Sequence, residues 1–223
     1  MLAVFKKELK SYLLTPIGYV FIGLFILMFS IMFFRTIYSS NVINFEYLFY
    51  NGSTILTFIT PILTMRLFAE ERKNGTEQLL LTSPRSIVSV VLGKFFAAGV
   101  IILITCLLTF MYFGVLSYFG QPSFKVALST IFGFILLAMA YVSFGMFASS
   151  LTENQIVAGV LPIGIFILMI FLPTSLSSFS LISMFDKFPE GMISLTEVVA
   201  FVSFQALFVL LTILVLQRRK CVK

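Results

Sequence analysis

The 223-residue chain is 60% hydrophobic and only 11% charged, and its mean hydropathy of +1.09 excludes an ordinary soluble domain, in which about a quarter of the residues are charged. Histidine is absent, and the two cysteines, Cys106 and Cys221, have no disulfide or metal spacing, which excludes histidine-dependent catalysis and histidine-ligated metal sites. The net charge of +6 is spread over the ends of apolar segments, so no nucleic-acid-binding module is indicated.

The first 14 residues form an amphipathic pattern ahead of the first long apolar run. On a helical wheel, one side is apolar and the opposite side polar: Leu2, Phe5, Leu9, Tyr12 and Leu13 against Lys7, Glu8 and Ser11. We expect this helix to lie in the inner headgroup layer, its lysines near anionic lipid. The alternative is an ordinary basic flank of the first span. Thr15 and Pro16 then provide an N-cap and a first-turn proline for the next helix.

A helix needs roughly 20 apolar residues to cross about 30 Å of hydrocarbon. Six segments meet this requirement: 17–38, 53–69, 87–119, 126–148, 155–173 and 196–216. The stretch 174–195 is too long for a turn and too broken for a span, which predicts short helices on the outer side. We therefore predict an all-α integral membrane protein with six transmembrane helices in one domain, residues 1–223.

The placement of lysine and arginine predicts the orientation, because basic residues concentrate in cytoplasmic segments. With the N-terminus inside, only Arg35, Lys125 and Lys187 fall outside. The remaining basic residues lie inside or at that boundary: Lys6, Lys7, Lys10, Arg66, Arg72, Lys73, Arg85, Lys94, Arg218, Arg219, Lys220 and Lys223. Both termini are therefore predicted to be cytoplasmic.

The segment from Phe68 to Pro84, FAEERKNGTEQLLLTSP, is a charged connection between the second and third spans. Its residues Glu70 to Lys73 favour helix and are expected to extend the second span. Gly75 fits a C-terminal cap position, where left-handed backbone is needed. Thr76 is then expected to cap a short helix from Glu77 to Leu81, and Ser83-Pro84 to start the third long helix.

Three consecutive leucines in this loop, Leu79 to Leu81, indicate a docking surface, because an exposed apolar patch of this kind calls for a partner. The alternative is a solvated charged loop. The chain itself has no phosphate-binding loop: Gly93 and Lys94 lack the preceding glycine, since Val88 occupies that position. No paired carboxylates lie within a span to support a proton relay. We predict no catalytic residue, metal or other cofactor on this chain.

Two short patterns predict local contacts. Gly145 and Ser149, four residues apart, form a small-residue face suited to close helix packing. Ser194 and Glu197 fit a capping box at the start of the last helix. We prefer the capping box to a substrate-facing role for Glu197.

Three stretches resemble the permease subunit of ABC-2 type ATP-binding-cassette transporters. They are FKKELKSYLLTPIGYVF from Phe5 to Phe21, MRLFAEERKNGTEQLLLTSPRSIVSVVLGKF from Met65 to Phe95, and SSLTENQ from Ser149 to Gln155. The second stretch is the most specific. The likeness covers nearly the whole chain and is greatest for the branch of gliding-motility-associated and copper-processing-associated permeases.

The resemblance implies that the N-terminal helix is the family's elbow helix, with interfacial residues Phe5, Lys6, Lys7, Leu9 and Lys10. It also implies that the loop after the second span holds a coupling helix that docks on a separate ATPase. The residues assigned to this coupling are Glu70, Glu71, Arg72, Gly75, Thr76, Glu77, Gln78, Leu79, Leu80 and Leu81. Leu79 to Leu81 would supply apolar contacts, and Glu77 a polar one.

The function implied is that of a multi-pass permease subunit, an exporter in the bacterial cytoplasmic membrane. Its partners would be membrane lipids, a cytoplasmic ATPase dimer that binds ATP and magnesium, and a second permease of the same or a different sequence; no nucleic acid is expected. The alternative is a non-transporting membrane anchor of an ATPase-driven machine. An ATPase activity that responds to cargo would distinguish the first from the second.

Overall fold

The computed structural model describes residues 1–39, 45–78, 86–119, 123–170 and 180–221, and these ranges are almost entirely α-helical, with no strand among them. The first of these ranges contains two helices, α1 (Leu2–Leu14) and α2 (Pro16–Ser39). The rest follow in chain order as α3 (Phe45–Thr64), α4 (Ala69–Lys73), α5 (Ile87–Phe119), α6 (Phe124–Leu151), α7 (Gln155–Ile170), α8 (Leu181–Phe185) and α9 (Leu195–Cys221).

Helix α6 lies at the centre of the bundle and packs against α3, α5, α7 and α9. It can contact so many neighbours because small residues occur along its length. A Cβ atom at Gly133 would lie 2.7 Å from the Cβ of Phe188, and one at Gly145 would lie 2.9 Å from the Cβ of Thr64. The predicted small-residue contact at Gly145 is therefore confirmed, and its partner is α3.

Five helices of the described ranges are long and apolar enough to cross a membrane: α2, α3 with α4, α5, α6 and α9. The fifth predicted span, 155–173, corresponds to α7, which has 16 residues and is about 24 Å long at 1.5 Å per residue. The last part of that prediction, 171–173, lies outside the described residues. The other five predicted spans are thus found as long apolar helices, and 155–173 stays a prediction as a membrane span.

The N-terminal helix is present as α1, and its buried side matches the predicted one at Phe5, Leu9 and Tyr12 but not at Leu2 and Leu13. Val4 and Tyr12 are buried, whereas Leu2 and Leu13 are exposed. Glu8, predicted on the polar side, lies in the same stripe as Val4 and Tyr12, with a side chain that is 13% exposed. The wheel is wrong for Glu8 because α1 packs along α5, where Glu8 has a charged partner that hydrophobicity does not reveal.

The start of α2 follows the prediction only in part. Pro16 occupies the first helical position. Thr15 has extended backbone, and its hydroxyl donates to the Ser11 carbonyl at the end of α1. The side chain of Thr15 therefore closes the preceding helix.

At the end of the bundle that carries α8, the segment 180–195 folds back onto α6. Phe185 and Phe188 are fully buried, and the Ser129 hydroxyl of α6 donates to the Phe188 carbonyl at 2.7 Å. The predicted capping box takes another form: the Ser194 hydroxyl donates to the Glu197 carboxylate at 2.9 Å, and the same carboxylate pairs with Lys187. A nearby cation thus recruits Glu197 into an ion pair. Residues 174–179 of the predicted outer segment lie outside the described residues.

Candidate functional site

The predicted coupling residues lie at one end of the bundle, here called the α4 end, where α1, α4, the start of α5, the α6–α7 turn and the end of α9 meet. Residues 65–68 form a turn that interrupts the helix between α3 and α4. The Ser149 hydroxyl bonds to the backbone groups of this turn: it donates to the Met65 carbonyl and accepts from the amides of Phe68 and Ala69, all at 3.1 Å. Ser149 is fully buried, so it holds α4 in a single orientation on α6.

Lys94 is the centre of a buried charge cluster at this end. Its side chain is 2% exposed, and its Nζ lies 2.9 Å from Oε1 of Glu71 and 3.4 Å from Oε1 of Glu8. It also donates to the Leu67 carbonyl at 2.6 Å and lies 5.0 Å from the centre of the Phe68 ring. A buried ammonium requires such compensation. Lys94 therefore joins α5 to both α1 and α4.

Close contact between α1 and α5 makes the Lys94 cluster possible. A Cβ atom at Gly93 would lie 3.1 Å from the Cβ of Val4 and 3.2 Å from the amide nitrogen of Phe5. The two helices therefore approach closely, one residue before Lys94 along α5. This approach brings Glu8 within reach of the ammonium.

The phenol of Tyr12 anchors α1 to α3. Its hydroxyl donates to the Leu63 carbonyl at 3.2 Å. Burial, followed by the nearby carboxylate of Glu8, raises the pKa of Tyr12, so the phenol keeps the proton that it donates. Beside it, Arg66 pairs with both carboxylate oxygens of Glu70, and these two residues line a small polar pocket together with Glu8, Ser11, Tyr12, Thr15, Ile17 and Leu67.

A second charge cluster, here called the arginine cluster, consists of Arg72, Glu77, Glu153 and Arg219. Arg72 Nε lies 2.7 Å from Oε1 of Glu153 and 3.9 Å from Oε2 of Glu77. Arg219 Nη1 lies 3.1 Å from Oε1 of Glu77. The cluster therefore connects α4, the following loop, the α6–α7 turn and the last turns of α9.

Three of the ten predicted coupling residues, Glu71, Arg72 and Glu77, belong to these two clusters. Glu70 pairs with Arg66, Glu71 with Lys94, and Arg72 with Glu153. Gly75 has φ +72°, which confirms the left-handed backbone expected there. The Thr76 hydroxyl donates to the Glu71 carbonyl at 3.1 Å, and Gln78 is exposed. Leu79, Leu80 and Leu81 lie outside the described residues, and their docking role stays a prediction.

The residues assigned to the elbow divide into two groups. Phe5 and Leu9 pack against the hydrophobic core. Lys6, Lys7 and Lys10 are exposed, and Lys7 Nζ lies 3.9 Å from Oε1 of Glu71. The lysines are thus on the surface of α1 at the α4 end, where anionic groups can reach them.

The residues that sequence reasoning did not assign to this site include Glu8, Lys94, Ser149, Glu153 and Arg219. Glu8 carried a usable signal, since its spacing of four from Val4 and Tyr12 places it on their face of the helix. The partners of Ser149, Glu153 and Arg219 come from distant parts of the chain, and no local pattern reveals them. The geometry suits mechanical connection of helices rather than a chemical step.

Comparison with known protein families gives a match over nearly the whole chain. The model of the family described as ABC-2 family transporter protein matches residues 2–221. No curated protein matches the chain.

Proposed function

Because the chain belongs to the ABC-2 family of transporter proteins, we propose that it is a permease subunit that forms the substrate path of an exporter and couples to a separate cytoplasmic ATPase. The family match over residues 2–221 is the observation that carries this proposal. The five long apolar helices fit it, since they make the chain a multi-pass membrane protein. The permeases of this family are the membrane components that associate with an ATPase component.

The α4 end is proposed as the coupling surface. Glu71 and Arg72 connect α4 to the charge clusters, and Gly75 turns the chain toward Thr76. The proposed docking segment, residues 76–81, follows directly. Because ion pairs hold α4 on the bundle, an ATPase that binds the apolar segment after α4 could displace the helices behind it. ATP and magnesium would be bound by the ATPase, which works as a dimer.

The proposed setting is the bacterial cytoplasmic membrane, with both termini in the cytoplasm. Support comes from Arg66, Arg72, Lys94 and Arg219, which all lie at the α4 end. Basic residues favour the cytoplasmic side. A second permease subunit, of the same or a different sequence, would complete the path. From the resemblance of the sequence stretches noted above, we also propose the gliding-motility-associated and copper-processing-associated branch.

The experiment that tests this function is co-purification from the native membrane with the endogenous ATPase. Replacing Leu79, Leu80 and Leu81 by serine should release the ATPase while the helical content of the permease stays unchanged. Leu151→Ser is the control, because Leu151 is an exposed leucine at the same end. Undiminished recovery of the ATPase with the triple variant would disprove the coupling assignment. A recovered ATPase whose activity is unaffected by the permease would favour the membrane-anchor alternative.

Orientation is tested separately by cysteine labelling of intact cells in a Cys221→Ser background. A cysteine at Lys187 should react with a membrane-impermeant reagent, and one at Thr76 should not. Reaction of the Thr76 variant from outside would reverse the proposed topology.

A further inference from the structure

Glu77 is the second residue of the proposed docking segment, residues 76–81, yet its carboxylate is held inside the permease. Arg219 Nη1 donates to Glu77 Oε1 at 3.1 Å, and Arg72 Nε lies 3.9 Å from Oε2. The Glu77 side chain is only 15% exposed. Contact with a partner through this carboxylate would first have to break its pair with Arg219.

Arg219 is itself fixed from a second direction. Its Nη2 donates to the Ser150 carbonyl at 2.6 Å, so one guanidinium spans the end of α6 and the loop after α4. Arg219 belongs to the last turns of α9, a long apolar helix that packs along the central helix α6. The Glu77–Arg219 pair therefore connects the loop to one of the main helices of the bundle.

The chain turns at Gly75, between α4 and Glu77. Gly75 has left-handed backbone, and the amide of Gln78 donates to the Gly75 carbonyl over a long distance, 3.4 Å. The Thr76 hydroxyl donates to the Glu71 carbonyl. Both of these bonds stay within residues 71–78, whereas the Glu77 carboxylate reaches α9, and its shortest charged contact is with Arg219.

We propose that Glu77 and Arg219 form a latch that orients the docking segment on α9, so that displacement of the segment by the ATPase is transmitted to the last helix. Glu77 is then a positioning residue rather than a contact residue for the ATPase. This inference rests on the proposed function, because it assumes an ATPase that docks on residues 76–81.

The first test uses the permease alone in lipid nanodiscs, with a spin label on a cysteine at Gln78 in the Cys221→Ser background. Arg219→Met and Glu77→Gln should each increase the mobility of the label, and the double variant should show no further increase. Arg218→Met is the matched control, because Arg218 is the exposed neighbouring arginine. The unfolding temperature of the bundle should change little in all four variants. Unchanged label mobility in Arg219→Met would overturn the latch.

The second test is a double-mutant cycle on affinity for the co-purifying ATPase, without the label. Each single change should weaken binding by roughly three- to tenfold, and Glu77→Gln should add little in the Arg219→Met background, because residues that act through one contact are not additive. An equal effect of Glu77→Gln in both backgrounds would instead assign Glu77 to the ATPase interface and reject the latch. If the unaltered permease binds no ATPase, the proposed function fails, while the label measurement still decides the Glu77–Arg219 contact.

Discussion

The Nζ atom of Lys94 on α5 lies 2.9 Å from Oε1 of Glu71 on α4, and the side chain of Lys94 is 2% exposed. This pair connects the start of a long apolar helix to the segment that leads into the proposed docking loop. Glu8 on α1 shares the same ammonium. Three helices at the α4 end therefore depend on one buried cation, so a force applied to α4 reaches both α5 and α1.

Replacing Lys94 by a neutral residue should destabilise the bundle. In Lys94→Met, the carboxylates of Glu8 and Glu71 lose their nearest cation and keep the more distant Lys7 ammonium, 3.9 Å from each. Breaking a buried ion pair in this way costs about 3–5 kcal/mol. The free energy of unfolding in detergent should fall accordingly. Lys10→Met on the exposed side of α1 is the control. Adding Glu8→Gln and Glu71→Gln to Lys94→Met should recover part of the loss; no loss in Lys94→Met itself would contradict the cluster.

Ser149→Ala should loosen α4 from α6. The change removes the acceptor of two buried amides and the donor to the Met65 carbonyl, which costs about 1–3 kcal/mol for buried groups left unsatisfied. Hydrogen exchange at residues 65–73 should accelerate. The adjacent Ser150→Ala provides the comparison, because among the described residues that hydroxyl bonds within its own helix, to the Phe147 carbonyl. Equal exchange in the two variants would show that the Ser149 bonds are unimportant.

Gly145→Ala should force α3 and α6 apart. Its new Cβ would lie 2.9 Å from the Cβ of Thr64 and closer still to the Thr64 hydroxyl, and overpacking of this kind costs about 1–3 kcal/mol. Thermal unfolding of the purified protein measures the loss. Gly114→Ala is the control, since no atom of the described residues lies within 4 Å of a Cβ placed there. A Gly145→Ala protein as stable as the Gly114→Ala protein would argue against close α3–α6 contact.

Asp186 should make stability depend on pH. Burial, followed by the nearby Glu190 carboxylate, raises its pKa from 3.8 to about 6, and its Oδ1 atom is buried with no hydrogen-bond partner among the described residues. Because the folded-state pKa is the higher one, the protonated form favours folding. The contribution to stability is complete below the unfolded pKa and is lost as pH rises through about 6.

Thermal unfolding between acidic and neutral pH checks the Asp186 prediction. Asp186→Asn keeps the side chain neutral, so its advantage over the natural protein should grow as pH rises through 6. Glu190→Gln should lower the pKa of Asp186 and move the transition to lower pH. If the natural protein and Asp186→Asn respond identically to pH, the carboxyl group is solvated rather than buried.

The long helices and the turn at Gly75 were predictable because their sequence signals are local. The predicted span 87–119 coincides with α5 (Ile87–Phe119), since a continuous apolar run is recognisable without its neighbours. Gly75 was assigned left-handed backbone for a similarly local reason, the absence of a Cβ. The start of α3 was less clear: the helix begins at Phe45, eight residues before the predicted span, because its first turns contain polar residues that hydropathy alone does not assign to a membrane helix.

The amino-acid sequence by itself determined the membrane class, the apolar helices and the concentration of basic residues toward one end, because hydropathy and charge order are properties of consecutive residues. Only the tertiary structure decided which charges are buried and which helices they join. Glu8 turned inward because α1 packs along α5 beside Lys94, and Glu77 was engaged because α9 ends beside the loop after α4. Such pairings form only when segments that are remote in sequence lie close together in the packed bundle.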